Sequence, residues 1–312
     1  MPAKVIITTG DPAGCGPDIT VRAIEFLLRQ KTFKNVKFIV IGDEKILTRL
    51  ATFKKISGRL TFIDNNTSGI DKVKPGKPSR ITGRASLDYI NKALGIASDK
   101  KITIVTAPVS KEAVALTLPG FCGHTEYLAD YFKVKNYEMM MVSEKLKVVL
   151  MTRHVPLVKV PALLERQKIA KTINLTRAAL KKLFKIKKPR LVMASFNPHA
   201  GVDTFLGKEE KELLAAARLF KEGVFGPYPC DTLFTEDALK KYDCVICSYH
   251  DQGMIPLKLL AFETAVNLTI GLPVIRTSPD HGTAFGLMRQ GKKPFISSMI
   301  EAIKLAVKLS NK

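Results

Sequence analysis

The chain carries only five histidines among 312 residues, and each lies beside glycine, proline or the end of a predicted strand. They are Gly123-His124-Thr125, Arg153-His154-Val155-Pro156, Asn197-Pro198-His199-Ala200-Gly201, Tyr249-His250-Asp251-Gln252-Gly253 and Asp280-His281-Gly282-Thr283. A single histidine is ordinarily structural or solvated; all five at strand-to-loop junctions are harder to dismiss, because that rim is where open α/β sheets place their sites. His154, His199 and His250 each follow a strand candidate closely. Three imidazoles with open positions would hold Zn²⁺ or a similar divalent ion and leave room for a substrate. Their spacings of 45 and 51 residues are too wide for a local finger, so such a site must be assembled by the fold or across a dimer. The run from Tyr249 to Thr283 adds Asp251, Lys258, Asn267, Arg276 and Asp280 within apolar, Gly- and Pro-punctuated sequence. Lys258 and Arg276 have the chemistry to clamp a phosphate or carboxylate, the arginine bidentately, or else to stand as solvated cations.

Two further motifs carry weaker signals. Gly10-Asp11-Pro12-Ala13-Gly14-Cys15-Gly16-Pro17 follows the first predicted strand. It reads either as an anion-binding helix start or as a plain tight turn, since it lacks the third glycine of a dinucleotide fingerprint and the Gly-Lys-Ser/Thr of a P-loop. Cys244-x-x-Cys247 lies within a strand candidate, where residues three apart face opposite ways, so the pair reads as buried thiols rather than a chelate.

The elements that must position these residues alternate. Strand candidates are Val5–Thr9, Val36–Ile41, Ile102–Thr106, Leu191–Ser195, Cys244–Ser248 and Ala265–Thr269. Helix candidates are Pro17–Arg29, Ser86–Ile96, Glu126–Phe132, Lys168–Phe184 and Lys208–Phe220. The alternation predicts βαβ units and a largely parallel sheet covered by helices. Tyr137–Val142 and Leu146–Thr152 read as an antiparallel hairpin, and Asp64–Gly83 as a surface loop.

Composition narrows the class. With 46% hydrophobic and 25% charged residues the chain is globular, and no apolar run approaches the roughly 18 residues that span a bilayer. Five scattered cysteines argue against a disulfide framework and for a reducing, cytoplasmic setting. The net charge of +22 admits anionic partners. The lysines are nevertheless dispersed, and the densest cluster, Lys181–Arg190, reads as a helix end before a strand. No basic run interleaves with aromatics, so nucleic acid is not expected.

Taken in order, these blocks resemble the 4-hydroxythreonine-4-phosphate dehydrogenase family of the pyridoxal phosphate pathway. The similarity runs through Gly10–Pro17, Thr106–Lys111, Gly123–Leu128, His154–Leu157, Asn197–Gly201, Asp231-Thr232-Leu233-Phe234, Tyr249–Gly253 and Arg276–Ala284. It implies a two-lobed α/β/α fold like that of isocitrate and isopropylmalate dehydrogenases. One domain would span residues 1–134 plus 255–312 and the other 135–254, the latter with a dimer interface, and the active site would lie in the cleft between them. It implies NAD- or NADP-dependent, divalent-metal-dependent (zinc, magnesium or cobalt) oxidation of a phosphorylated hydroxy-amino acid followed by decarboxylation, in a homodimer. Residue by residue, it makes His154, His199 and His250 metal ligands shared between subunits. His124, Thr125, Lys258, Asn267 and Arg276 would bind substrate, and His281, Gly282, Thr283 and Gly286 the cofactor. Asp231 and Asp251 would accept a proton or orient a ligand histidine. Relatives acting on threonate or erythronate 4-phosphate would share the same motifs. The sequence departs from the family at Val202-Asp203-Thr204, where an acidic residue and glycines are usual, and at Gly286, where the family carries Asp. Loss of that acid, with Arg289 near, predicts relaxed selectivity toward NADP.

Overall fold

The computed structural model describes residues 2–100, 102–201 and 208–310, and the Val202-Asp203-Thr204 departure lies outside them. The chain divides into two compact units, Met1–Val134 with Leu272–Lys312, and Lys135–Gly271. The chain therefore returns to the first unit at Leu272, where sequence reading places the return at residue 255.

In the first unit, β1 (Lys4–Thr8), β2 (Lys37–Gly42), β3 (Thr61–Asp64), β4 (Thr103–Thr106) and β11 (Arg276–Pro279) form parallel ladders in the order β3-β2-β1-β4-β11. Val5, Ile6 and Ile7 are all buried, as expected of a parallel strand covered on both faces. The helix Arg80–Lys100 sends Tyr89, Ile90, Ala93, Leu94 and Ala97 into a core that also holds Ile6, Ile41 and Ile104. Asp64–Gly83 is only partly the loop expected. It opens on the last residue of β3, buries Ile70 and Val73, and passes into that helix at Arg80.

The second unit runs in the order β10-β5-β6-β9-β7-β8, with β5 (Glu138–Val142), β6 (Lys147–Leu150), β7 (Leu191–Ala194), β8 (Val224–Tyr228), β9 (Cys244–Cys247) and β10 (Val266–Ile270). The expected hairpin is β5 and β6, antiparallel with Met140 opposite Val149. β6, β9, β7 and β8 are mutually parallel. β10 departs from the parallel expectation and runs antiparallel to β5, Asn267 facing Met141. The basic cluster ends the helix Arg166–Phe184 at left-handed Lys185, just before β7. Cys244 and Cys247 are free and buried, and only Cys247 joins the cluster of Val192, Val245 and Leu257. Burial pushes the Cys244 thiol up to about 12, as suits an inert packing residue.

The first turn resolves as a structural turn. Residues 10–17 are buried, Ala13 N–H donates to Asp11 Oδ1 (2.8 Å), Gly14 N–H to Asp11 O (2.9 Å) and Cys15 N–H to Thr283 O (2.9 Å). These donors of the turn are thus spent within the chain. Gly10 sits at φ +70°, and a Cβ there would meet Pro108 O at 2.3 Å.

Asp11, fully buried, fastens this turn. Burial pushes its carboxyl up from 3.8 to about 6, against the lowering effect of hydrogen bonds from Ala13, Thr82 and Ser110. Between those values the folded chain holds a proton that the unfolded chain has released, so stability falls as pH rises from 4 to 6. Asp11→Asn removes that dependence. Urea unfolding should show the variant gaining up to about 3 kcal/mol on the wild type across this range; a pH-independent difference would contradict the assignment.

Candidate active site

Four neighbouring parallel strands deliver five of the expected residues at their C-terminal ends. His154 follows β6, His250 and Asp251 follow β9, His199 follows β7 and Asp231 follows β8. Adjacent strands lie about 4.8 Å apart, so residues far apart in sequence arrive side by side. This is the rim at which open α/β sheets take ligands.

His250 opens the helix His250–Ala261, and its ring lies 5.7 Å from that of His154, tilted by 42°. The His250 Nδ1 lies 2.7 Å from Asp251 Oδ1. With the carboxylate accepting there, Nδ1 carries the hydrogen and Nε2 presents its lone pair. Gly253 lets this helix press on the sheet: a Cβ there would meet Val148 Cγ1 at 2.4 Å and Leu150 Cδ2 at 2.9 Å. Arg153, next to His154, stacks over Tyr137 at 5.0 Å and lies 3.8 Å from the Glu138 carboxylate. His199 does not join the other two rings. It sits at φ +54°, followed by Ala200 at +56° and Gly201 at +64°, a left-handed run that non-glycine residues adopt only where their surroundings impose it. Among the described residues, no group of three His, Cys, Asp or Glu side chains is close enough to hold a metal ion. One chain thus presents a two-histidine pair with the donor chemistry a divalent cation needs, while the third imidazole stands apart.

Lys258 lies on the same helix as His250, its Nζ 5.1 Å from the Phe262 ring. Asn267 lies on β10, with its Oδ1 buried and lacking a hydrogen-bond partner among the described residues. Asp231 is exposed in the first turn of the short helix Cys230–Leu233.

In the first unit, Arg276 opens β11 and is 3% exposed; its Nε and Nη2 donate to Thr106 Oγ1 at 3.0 and 2.7 Å. Burial lowers the guanidinium to about 10, with Glu126 pulling the other way. His124 and Thr125 open the helix His124–Tyr131. Burial, then the charge of Arg276, holds the His124 ring well below its ordinary pKa, and its Nε2 is buried without a partner. The ring is thus held neutral beside a buried guanidinium, with a nitrogen that could accept a hydrogen bond from a polar group or donate one to it. His281 and Gly282 are exposed, and Thr283 packs against Gly14 through its Cβ and carbonyl. Gly286 is exposed too, with nothing within 4 Å of the position a Cβ would take, so no steric demand explains the glycine. The Arg289 stem packs on Gly76, where a Cβ would meet Arg289 Cγ at 2.3 Å.

Sequence reading misses Gln252, Glu210 and Thr152, whose hydrogen bonds hold the histidine-bearing loops. Buried polar side chains near strand ends give no periodic signal.

The structure of 4-hydroxythreonine-4-phosphate dehydrogenase from Klebsiella pneumoniae superposes with a TM-score of 0.85 at 33% identity, covering 99% of each chain. A dehydrogenase structure from Burkholderia xenovorans, at 23% identity and TM-score 0.67, shares the fold alone. Two units of α/β structure with this likeness define an oxidoreductase of the two-lobed α/β dehydrogenase class. The family model described as pyridoxal phosphate biosynthetic protein PdxA matches residues 34–306, and the chain belongs to that family. A 4-hydroxythreonine-4-phosphate dehydrogenase of Desulforapulum autotrophicum is 40% identical, across 96% of this chain and 93% of that protein. An Oceanobacillus iheyensis protein, provisionally named D-threonate 4-phosphate dehydrogenase, is 36% identical across 97% of each. Membership implies a nicotinamide cofactor.

The environment of His124 yields a direct expectation. Because the unfolded ring protonates near 6.5 and the folded ring well below it, this residue costs stability as pH falls below 6.5. In an NMR titration of the histidine ring signals, His124 should stay neutral at pH 5. Protonation near 6.5 would show that the ring is solvated rather than enclosed beside Arg276.

Proposed function

We propose that the chain is an NAD(P)-dependent, divalent-metal-dependent dehydrogenase in pyridoxal 5'-phosphate biosynthesis. It oxidises 4-phosphohydroxy-L-threonine to 2-amino-3-oxo-4-phosphooxybutanoate, which loses CO₂ to give 3-amino-2-oxopropyl phosphate. The observation that carries this reading is the delivery of His154, His250 and His199 from the ends of three adjacent parallel strands, in a chain of this family.

The residue types follow from the chemistry. The secondary alcohol gives a hydride to the nicotinamide and its proton to a base, and the resulting ketone lies β to the carboxylate that leaves as CO₂. A divalent ion such as zinc, magnesium or cobalt, held by neutral imidazoles that leave its charge intact, would favour loss of the alcohol proton and the electron shift of decarboxylation. Asp251 orients His250 through the Nδ1 bond, which leaves Asp231 to accept the proton. Arg276 and His124, with Thr125, Lys258 and Asn267, bind the phosphate and carboxylate and fix the alcohol's position. His281, Gly282, Thr283 and Gly286 serve the cofactor. The open space at Gly286, with Arg289 in the same short helix, favours acceptance of NADP beside NAD.

A homodimer fits this reading. Ile255, Leu259 and Phe262, at helical spacing, are 58%, 83% and 72% exposed and form an apolar stripe on the helix that begins with His250. A second copy seated there would complete a metal site that one chain leaves at two imidazoles. All five cysteines are free, which suits the cytoplasm, and no described helix is long and apolar enough to cross a membrane.

The relative provisionally named for D-threonate 4-phosphate favours one second reading, in which the same machinery oxidises threonate or erythronate 4-phosphate. Reduced-nicotinamide absorbance, followed with metal-loaded protein and each of the three substrates, decides between them. The expected result is turnover mainly of 4-phosphohydroxy-L-threonine, abolished by a chelator, with comparable kcat/KM for NAD and NADP. Turnover mainly of a phosphorylated sugar acid would overturn the substrate, activity indifferent to chelation the metal, and a strong preference for NAD the relaxed cofactor selectivity.

A further inference from the structure

We propose that Gln252 is a positioning residue that sets the spacing of the histidine-bearing strand ends in the second unit. The inference rests on reading His154, His199 and His250 as members of one site.

The last registered pair between β7 and β9 is Met193 with Ile246. Beyond it the side chain of Gln252, only 7% exposed, takes over the work of the ladder. Its Oε1 accepts from Ser248 N–H at 2.6 Å, and its Nε2 donates to Ser195 O at 2.6 Å. Ser248 lies two residues before His250, and Ser195 four before His199. The network continues on both sides. Ser248 O accepts from Thr152 N–H (3.2 Å) and Thr152 Oγ1 (2.7 Å), two residues before His154. Ser195 Oγ donates to Asn197 O at 2.9 Å. The buried Glu210 carboxylate accepts from Asn197 N–H (2.6 Å) and Nδ2 (2.8 Å), immediately ahead of the left-handed run at His199. One connected path therefore touches all three histidine loops, and within it the Gln252 side chain bonds the ends of both β7 and β9.

The residue type is demanding. The position needs a donor and an acceptor on one buried side chain of this length. Glutamate can keep the bond from Ser248 N–H but turns a carboxylate oxygen toward Ser195 O; methionine matches the length and makes neither bond. A buried, connected hydrogen-bond network restrains geometry, which is what residues held in an unfavourable backbone region such as His199 require.

The test uses the full chain labelled with ¹³C in the histidine rings, whose five signals are assigned by single His→Gln changes. In Gln252→Met, the His199 and His250 signals should move while those of His124 and His281, in the first unit, stay fixed. Zn²⁺ affinity measured by calorimetry should fall by about 10- to 100-fold. Should this variant fail to fold, Gln252→Glu replaces it, with His199 expected to move more than His250 because only the Ser195 bond is lost. A folded variant with His199 and His250 unmoved and wild-type Zn²⁺ affinity overturns the proposal, as does a Gln252→Glu protein in which His250 moves and His199 does not. If the wild type binds no Zn²⁺ yet the ring signals still move as expected, the positioning role stands and the metal reading fails.

Discussion

The C-terminal ends of β6, β9, β7 and β8 lie in line because their backbones are hydrogen-bonded in parallel register, and the proposed chemistry depends on that alignment. Parallel pairing forces each connection to cross the face of the sheet and return to the same edge. Residues as far apart in the chain as His154 and His250 therefore meet, as no local motif could arrange. The strands themselves carry little polarity: Val148, Leu150, Val192, Ala194, Val245 and Cys247 are buried together, so the chemistry is confined to the first residues beyond each strand.

A loop that begins at a strand end is free to wander unless something holds it. Here the holding is polar and buried. Thr152, Ser248, Gln252, Ser195, Asn197 and Glu210 continue the order of the ladder for several residues past its end. The first unit solves the same problem differently. Asp11, Thr82 and the buried turn fix its strand ends, while Arg276 spends two donors on Thr106 and remains beside a neutral His124. The two units thus carry opposite chemistries, imidazoles and carboxylates in one, and a buried cation with a neutral ring in the other.

Much of this was legible in the sequence. Hydrophobic, β-branched runs such as Val5–Thr9 and Cys244–Ser248 announce buried parallel strands, and the histidines follow them visibly. The omissions have physical causes. β3 is half-exposed, β8 contains Gly226 and Pro227, and β11 reads Arg-Thr-Ser-Pro, so none shows the apolar run on which recognition depends. The helix beginning at His250 is hidden by Gly253 and Pro256. The orientation of β10 is set by its partner β5, which its own residues do not encode. The tight turn at Gly10–Pro17 was ambiguous because an anion site and a turn buried by Thr283 and Pro108 use the same glycines. Gln252 was illegible because its role exists only once Ser195 and Ser248 are brought together.

The proposed chemistry requires His154, His199 and His250 to converge on one ion. Anomalous X-ray diffraction from crystals of the zinc-loaded protein, measured on both sides of the metal's absorption edge, answers that directly. It should place a single site per chain, bonded to all three imidazoles, with one of them supplied by a second copy. A metal peak elsewhere, or one bound without His199, would contradict it.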